Sequence, residues 1–212
     1  FDLTGSGITA PEIQLQGNAV TITDGDTTPS LADHTDFGNA NVSPGTVART
    51  FTIQNLGSED LILTGGSLIA IGGANAAEFQ VTLQPVTPIV AGGSTTFDVT
   101  FDPAGAGLRA ATITIASNDA SENPFNFNIQ GTGVVPEINV KGNGATIADG
   151  DITPRVADFT DLGATPVAGA STISRSFTIE NTGLGTLVLN GAPDLVALSG
   201  LKSRATYSTA AR

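Results

Sequence analysis

The chain repeats itself, and the repeat fixes the size of the unit that must fold. Residues 11–43 read PEIQLQGNAVTITDGDTTPSLADHTDFGNANVS, and residues 136–168 read PEINVKGNGATIADGDITPRVADFTDLGATPVA. Eighteen of these 33 positions are identical at a constant offset of 125. The offset becomes 126 where Phe51–Asn55 (FTIQN) meets Phe177–Asn181 (FTIEN), and Leu61 and Leu63 then meet Leu187 and Leu189. The opening Phe1–Gly7 (FDLTGSG) resembles Phe127–Gly133 (FNIQGTG). A unit of this size is long enough to enclose its own core. The repeat divides the chain into residues 1–10, the last strand of a preceding copy plus a linker; residues 11–133, a complete copy; residues 134–200, a partial second copy; and residues 201–212, a divergent tail.

Within a copy the hydrophobic period is two. Phe125, Phe127 and Ile129 alternate with Asn126, Asn128 and Gln130. Phe97, Val99 and Phe101 alternate with Asp98 and Thr100, and the same holds around Phe51 and Ile53, around Ile113 and Ile115, and for Phe79, Val81 and Leu83. Successive side chains of a strand point to opposite faces, so each run reads as a half-buried strand. Turn signals separate the runs at Leu56–Ser58, Gly65–Gly66, Gly92–Gly93, Pro103–Gly107 and Asn118–Asp119, and only Ala74–Glu78 has room for a helical turn. Seven to nine short one-faced strands per copy predict a two-sheet sandwich (roughly 120 residues). The expected fold is all-β: tandem Ig-like antiparallel β-sandwiches, the second copy incomplete.

Composition removes several function classes. The chain has no Cys and one His, which excludes disulfides, thiol nucleophiles and His-cluster metal sites. Its net charge of −12 opposes nucleic acid and anionic membrane surfaces. It holds no apolar run long enough to span a bilayer, so direct membrane insertion is not expected. With no Met, the chain reads as a fragment or a processed piece.

Three segments carry a resemblance: FTIQNLGSEDLILTG (Phe51–Gly65), FDVTFDPAGAGLRAATITIASND (Phe97–Asp119) and FNFNIQGTG (Phe125–Gly133). Together they hold an N-x-G-x-x-x-L-x-L pattern, an F-x-P-x-x-x-G pattern and a closing G-T-G. The set resembles the Ig-like repeats of bacterial choice-of-anchor D surface proteins. More distantly it is similar to the abnormal-spindle/hydin (ASH), major sperm protein and PapD-like sandwiches. The resemblance implies tandem arrays on a large exported protein, hence an extracellular or cell-surface location. It also implies partners that are neighbouring repeats of the same chain and protein or peptide ligands. The second copy departs from the pattern after Gly200, where LKSRATYSTAAR has no counterpart of Phe97–Phe101 or Phe125–Ile129. That end reads as a truncation or an altered reading frame, with a genuine terminus as the alternative.

The acidic loops are the sharpest candidate site. Asp24, Asp26, Asp33 and Asp36 are repeated by Asp149, Asp151, Asp158 and Asp161, and these eight are most of the 14 Asp residues. Calcium takes six to eight oxygens, and such loops offer some of them, although the register is not that of an EF-hand. The competing reading is that Asp beside Gly, Thr and Pro caps its own turn. No other cofactor is expected. His34 with Ser30 and Asp36 lies within one loop, too local for a triad, and reads as a solvated loop residue. Asp36-Phe37-Gly38 reads as a strand entry with Phe37 in the core. Gly5-Ser6-Gly7 and Gly131-Thr132-Gly133 read as flexible exits from a last strand. Glu12 and Glu137 read as linker residues or rim ion pairs, and Arg109 as a partner of Asp102 across a turn.

No nucleophile, base and orienter converge in this sequence, so an enzyme is not expected. The first functional reading is a structural or adhesive repeat of an exported protein, with calcium stiffening its loops. The second is an interaction module of the ASH/PapD type that takes a peptide by strand addition along an open edge, as a cilium- or cytoskeleton-type adaptor would.

Overall fold

A computed structural model describes residues 9–165, 172–191 and 195–197. The chain start (Phe1–Gly7) and the tail 201–212 lie outside the described residues.

The first copy forms two packed sheets. One holds β1 (Ile13–Gly17), β2 (Val20–Ile22), β4 (Val47–Asn55), β6 (Phe79–Leu83) and β7 (Ser94–Phe101), in the order β2-β1-β4-β7-β6. The other holds β3 (Asp36–Asn41), β5 (Ala70–Gly72), β8 (Gly107–Ile115) and β9 (Phe125–Val134), in the order β3-β9-β8-β5. The alternating sequence runs become these strands because each buries one face: β9 alternates buried and half-buried positions from its start, and β7 and β8 do so from Phe97 and Ala111 onward. The helical turn is present as a single 3₁₀ turn, Ala76–Glu78.

Phenylalanine fills the space between the sheets. Phe37, Phe51, Phe97, Phe101, Phe125 and Phe127 are fully buried. Phe51 stacks on Phe97 at 5.3 Å between ring centroids, and Phe79 on Phe101 at 4.8 Å, while Phe37 meets Phe79 edge-on at 5.4 Å. Such ring pairs add about 0.5–1.5 kcal/mol each beyond the area they bury.

Three details differ from the sequence reading. The sandwich is not wholly antiparallel, because β3 pairs parallel with β9 (Asp36 opposite Gln130, Asn41 opposite Val134). Gly131-Thr132-Gly133 is not a flexible exit: it lies inside β9, paired on one side with β8 and on the other with β3. Close approach requires glycine at both positions. A Cβ on Gly131 would overlap the Phe101 ring, and one on Gly133 would overlap the Gly105 carbonyl. Leu83 is exposed, because a register shift between Val81 and Leu83 turns it out of the core.

The second copy repeats the first sheet in part. Strands β10 (Ile138–Gly142), β11 (Ala145–Ile147) and β12 (Phe177–Asn181) pair in the order β11-β10-β12. The register is conserved between copies: Ile13 faces Asn55 and Ile138 faces Asn181, Gly17 faces Phe51 and Gly142 faces Phe177. Left-handed backbone recurs at the 125-residue offset in Asn18 and Asn143, and in His34 and Phe159. Burial does not recur. Ile13, Phe51 and Ile53 are at most 2 % exposed, whereas Ile138, Phe177 and Ile179 are 49 %, 46 % and 37 % exposed. The same strands thus lack, among the described residues, the facing sheet that covers them in the first copy.

Candidate functional site

The eight loop aspartates do not gather into a ligand set. Among the described residues no three carboxylates or imidazoles converge on a point where an ion would sit. Most of them accept hydrogen bonds from their own turns. Asp26 Oδ1 accepts from the amide and hydroxyl of Thr28, and Asp33 Oδ1 accepts from those of Thr35. Asp151 with Thr153 and Asp158 with Thr160 repeat this in the second copy. In both of the latter, the threonine hydroxyl and then its amide hold the carboxyl below the usual carboxylate range. Asp36 and Asp161 accept from the amides of Gly38 and Gly163. Asp24 reaches across to the Asn126 amide at 2.8 Å, and Asp36 Oδ2 to Gln130 Nε2 at 2.8 Å, so these two fasten the loop to β9. The Asp-x-Thr spacing, present four times within the acidic loops, was the signal for this geometry. Asp149 makes no such bond among the described hydrogen bonds.

Two other assignments change. Arg109 does not pair with Asp102. Its Nε lies 3.4 Å from Glu78 Oε2 and 3.1 Å from the Gly105 carbonyl oxygen, to which it donates. His34 is not solvated but half-buried, with an Nδ1 that has no partner. Burial, and then the nearby Arg49 charge, push its pKa down. Ser30 and Asp36 hold their own turns rather than the imidazole. Phe37 is in the core as expected. Glu12 and Glu137 are exposed, and neither is in an ion pair among the described residues.

Asp119, which the sequence offered only as a turn signal, ties the ends of the copy together. It is buried, and it accepts from the Ile13 amide at 2.9 Å and from the Ser121 amide and hydroxyl at 3.0 and 2.7 Å. Burial pushes its carboxyl up, but the Ser121 hydroxyl and the Ile13, Ser121 and Glu122 amides outweigh this and leave it below the usual value. Glu122 beside it is raised by burial and by the charges of Glu12, Asp119 and Asp24. A depressed carboxyl stabilises the fold above its unfolded pKa and loses that contribution as pH falls through the folded value. Asp119→Ala is therefore expected to cost about 1–3 kcal/mol at neutral pH, chiefly by orphaning the Ile13 amide. The gap between wild type and variant should narrow as pH falls below about 4, followed by chemical denaturation at each pH.

Two open grooves mark the described surface. The larger, about 340 Å³, lies over the outer face of β8 and β9 and is lined by Thr27, Pro29, Ala74, Ala110, Thr112 and Asn128 among others, with no titratable group. The smaller, about 150 Å³, brings Glu12, Asp24 and Glu122 beside Ile13, Ile22 and Phe125. No helix among the described residues is long and apolar enough to cross a membrane.

The molecule is thus defined as an Ig-like β-sandwich with capped acidic loops. Residues 30–132 match the family model of the HYDIN/CFA65/VesB-like, Ig-like domain. Several solved structures are similar, three of them as follows. A protein of unknown function from Porphyromonas gingivalis W83 shares 19 % identity, over 57 % of this chain and 46 % of that one, with a TM-score of 0.40. The ASH / PapD-like domain of human CEP192 (PapD-like domain 7) shares 16 %, over 64 % of this chain and 99 % of that one, at 0.35. The Vibrio cholerae VesB protease shares 18 %, over 45 % of this chain and 29 % of that one, at 0.31. The chain therefore spans less than half of the Porphyromonas and Vibrio proteins. No curated protein matches it.

Proposed function

We propose that the chain is a non-catalytic Ig-like repeat module, a structural or adhesive spacer of a large exported cell-surface protein of the choice-of-anchor D kind. The observation that carries this reading is a sandwich closed by phenylalanine packing whose larger surface groove holds no titratable group. The turn carboxylates cap loops and fasten strands, so the chemistry of the described surface is spent on stiffness. Antibody raised against residues 11–133 is expected to label intact cells of the source organism. Labelling only after permeabilisation would overturn the surface location. Calcium stiffening of the Asp loops belongs to the same reading. It requires millimolar Ca²⁺ to raise the melting temperature, and the paired Asp24→Ala and Asp26→Ala changes to abolish the rise.

A second reading is an ASH-type module that binds a peptide by strand addition. The exposed apolar residues of β12, which pairs with β10 alone among the described strands, favour it. Amide shifts confined to Phe177–Asn181 on adding an extended peptide would support this reading, and their absence would remove it.

A further inference from the structure

We infer that consecutive copies are joined as one stiff body, with Asn41 at the end of β3 as the docking point for the Asn-x-Gly loop of the copy that follows. This rests on the reading of the chain as tandem structural repeats.

The joint is short, and hydrogen bonds hold it on both sides of Pro136. Val134 is the last residue of β9, is buried, and sits opposite Asn41, with its carbonyl oxygen accepting from the Val42 amide at 2.9 Å. The next residue already belongs to the second copy. The Val135 carbonyl oxygen accepts from the Gly185 amide at 2.9 Å. Two residues on, Glu137 donates its amide to Asn181 Oδ1 at 3.1 Å and accepts from the Thr182 amide at 2.8 Å. Asn181 Nδ2 closes the loop by donating to the Gly185 carbonyl at 2.7 Å. A flexible linker needs several residues whose backbone is solvated, and here only Pro136 is without a hydrogen bond among those described.

The loop is a clamp built for close approach. A Cβ on Gly183 would lie 2.5 Å from the Glu137 nitrogen, and one on Gly185 would lie 2.6 Å from the Val135 carbonyl carbon. The first copy holds its own incoming chain in the same way. Ser58 donates to the Ala10 carbonyl, Leu56 to that of Glu12, and Glu12 to Asn55 Oδ1, while Asn55 Nδ2 donates to the Glu59 carbonyl. A Cβ on Gly57 would lie 2.6 Å from the Glu12 nitrogen. The clamp is therefore a property of the repeat and not of one junction.

One bond then crosses from copy to copy. The Thr186 amide donates to Asn41 Oδ1 at 3.0 Å, placing the clamp of the second copy against the end of β3 in the first. The donor is main chain, so any non-proline residue at 186 supplies it. The specific requirement falls on the acceptor at 41.

The test uses the whole 212-residue chain, isotopically labelled. Residual dipolar couplings from amides of β1–β9 and of β10–β12 are expected to fit a single alignment tensor. A variant with Gly-Ser-Gly inserted between Val134 and Val135 serves as the flexible reference and should need two tensors. Asn41→Ala, at a half-buried strand end, is expected to speed exchange of the Thr186 amide about five- to tenfold, the worth of one hydrogen bond, and to leave Gly185 unchanged. Two tensors in the unmodified chain, or a Thr186 amide that exchanges alike with and without Asn41, would overturn the inference. Loss of the cross-strand contact between Val140 and Ile179 would instead defeat the tandem-repeat reading beneath it.

Discussion

Phe101→Ala is expected to cost about 3–5 kcal/mol, a large share of the roughly 5–15 kcal/mol that keeps a domain folded. The ring is fully buried, stacks on Phe79 at 4.8 Å and meets Phe37 at 6.1 Å. It also fills the space over Gly131, where even a methyl group would overlap it. Truncation thus opens a void bordered by both sheets, and the glycine on the far side offers nothing to collapse into it. Chemical denaturation read by far-UV circular dichroism measures the loss. A change below about 1 kcal/mol would show that the two sheets do not close on this ring.

Gly17→Ala should be nearly as damaging, by the opposite route. A Cβ at Gly17 would overlap the Asp33 carbonyl oxygen, which is backbone and cannot rotate away. The added atom must push the acidic loop off β1, and overpacking of this kind costs roughly 3 kcal/mol at its upper end. Gly142 stands against the Asp158 carbonyl in the same way. Asp158 lies in the acidic loop of the second copy, so Gly142→Ala serves as an internal repeat of the experiment. A melting temperature unmoved by Gly17→Ala would mean that the loop does not sit against the strand.

The strands were legible because each shows the core one face, and side chains announce that face at every second position. What went unread was written in groups that carry no such mark. Gly131 and Gly133 have no side chain, so a strand passing through them looks like a loop; their glycine identity comes from Phe101 and Gly105 across the gap. The parallel pairing of β3 with β9 left no trace either, since Asp36-Phe37-Gly38-Asn39 is too mixed to declare a partner. Arg109 went to Glu78 rather than Asp102 because the chain folds a distant 3₁₀ turn beside it. The acidic loops were visible from composition, and their Asp-x-Thr spacing held the information for the turn caps. The joint between copies was the least visible part, because most of its donors and acceptors are main-chain atoms and only asparagine side chains betray it.

The bond from Asp119 to the Ile13 amide spans 106 positions, and β3 waits for β9 across a similar distance. A ribosome must therefore release nearly a whole copy before β3 can find β9. During that interval a near-duplicate of the same early strands follows close behind on the nascent chain. Slow closure and kinship between neighbours invite exchanged strands, so synthesis rate and chaperone access should govern the yield of correctly paired arrays.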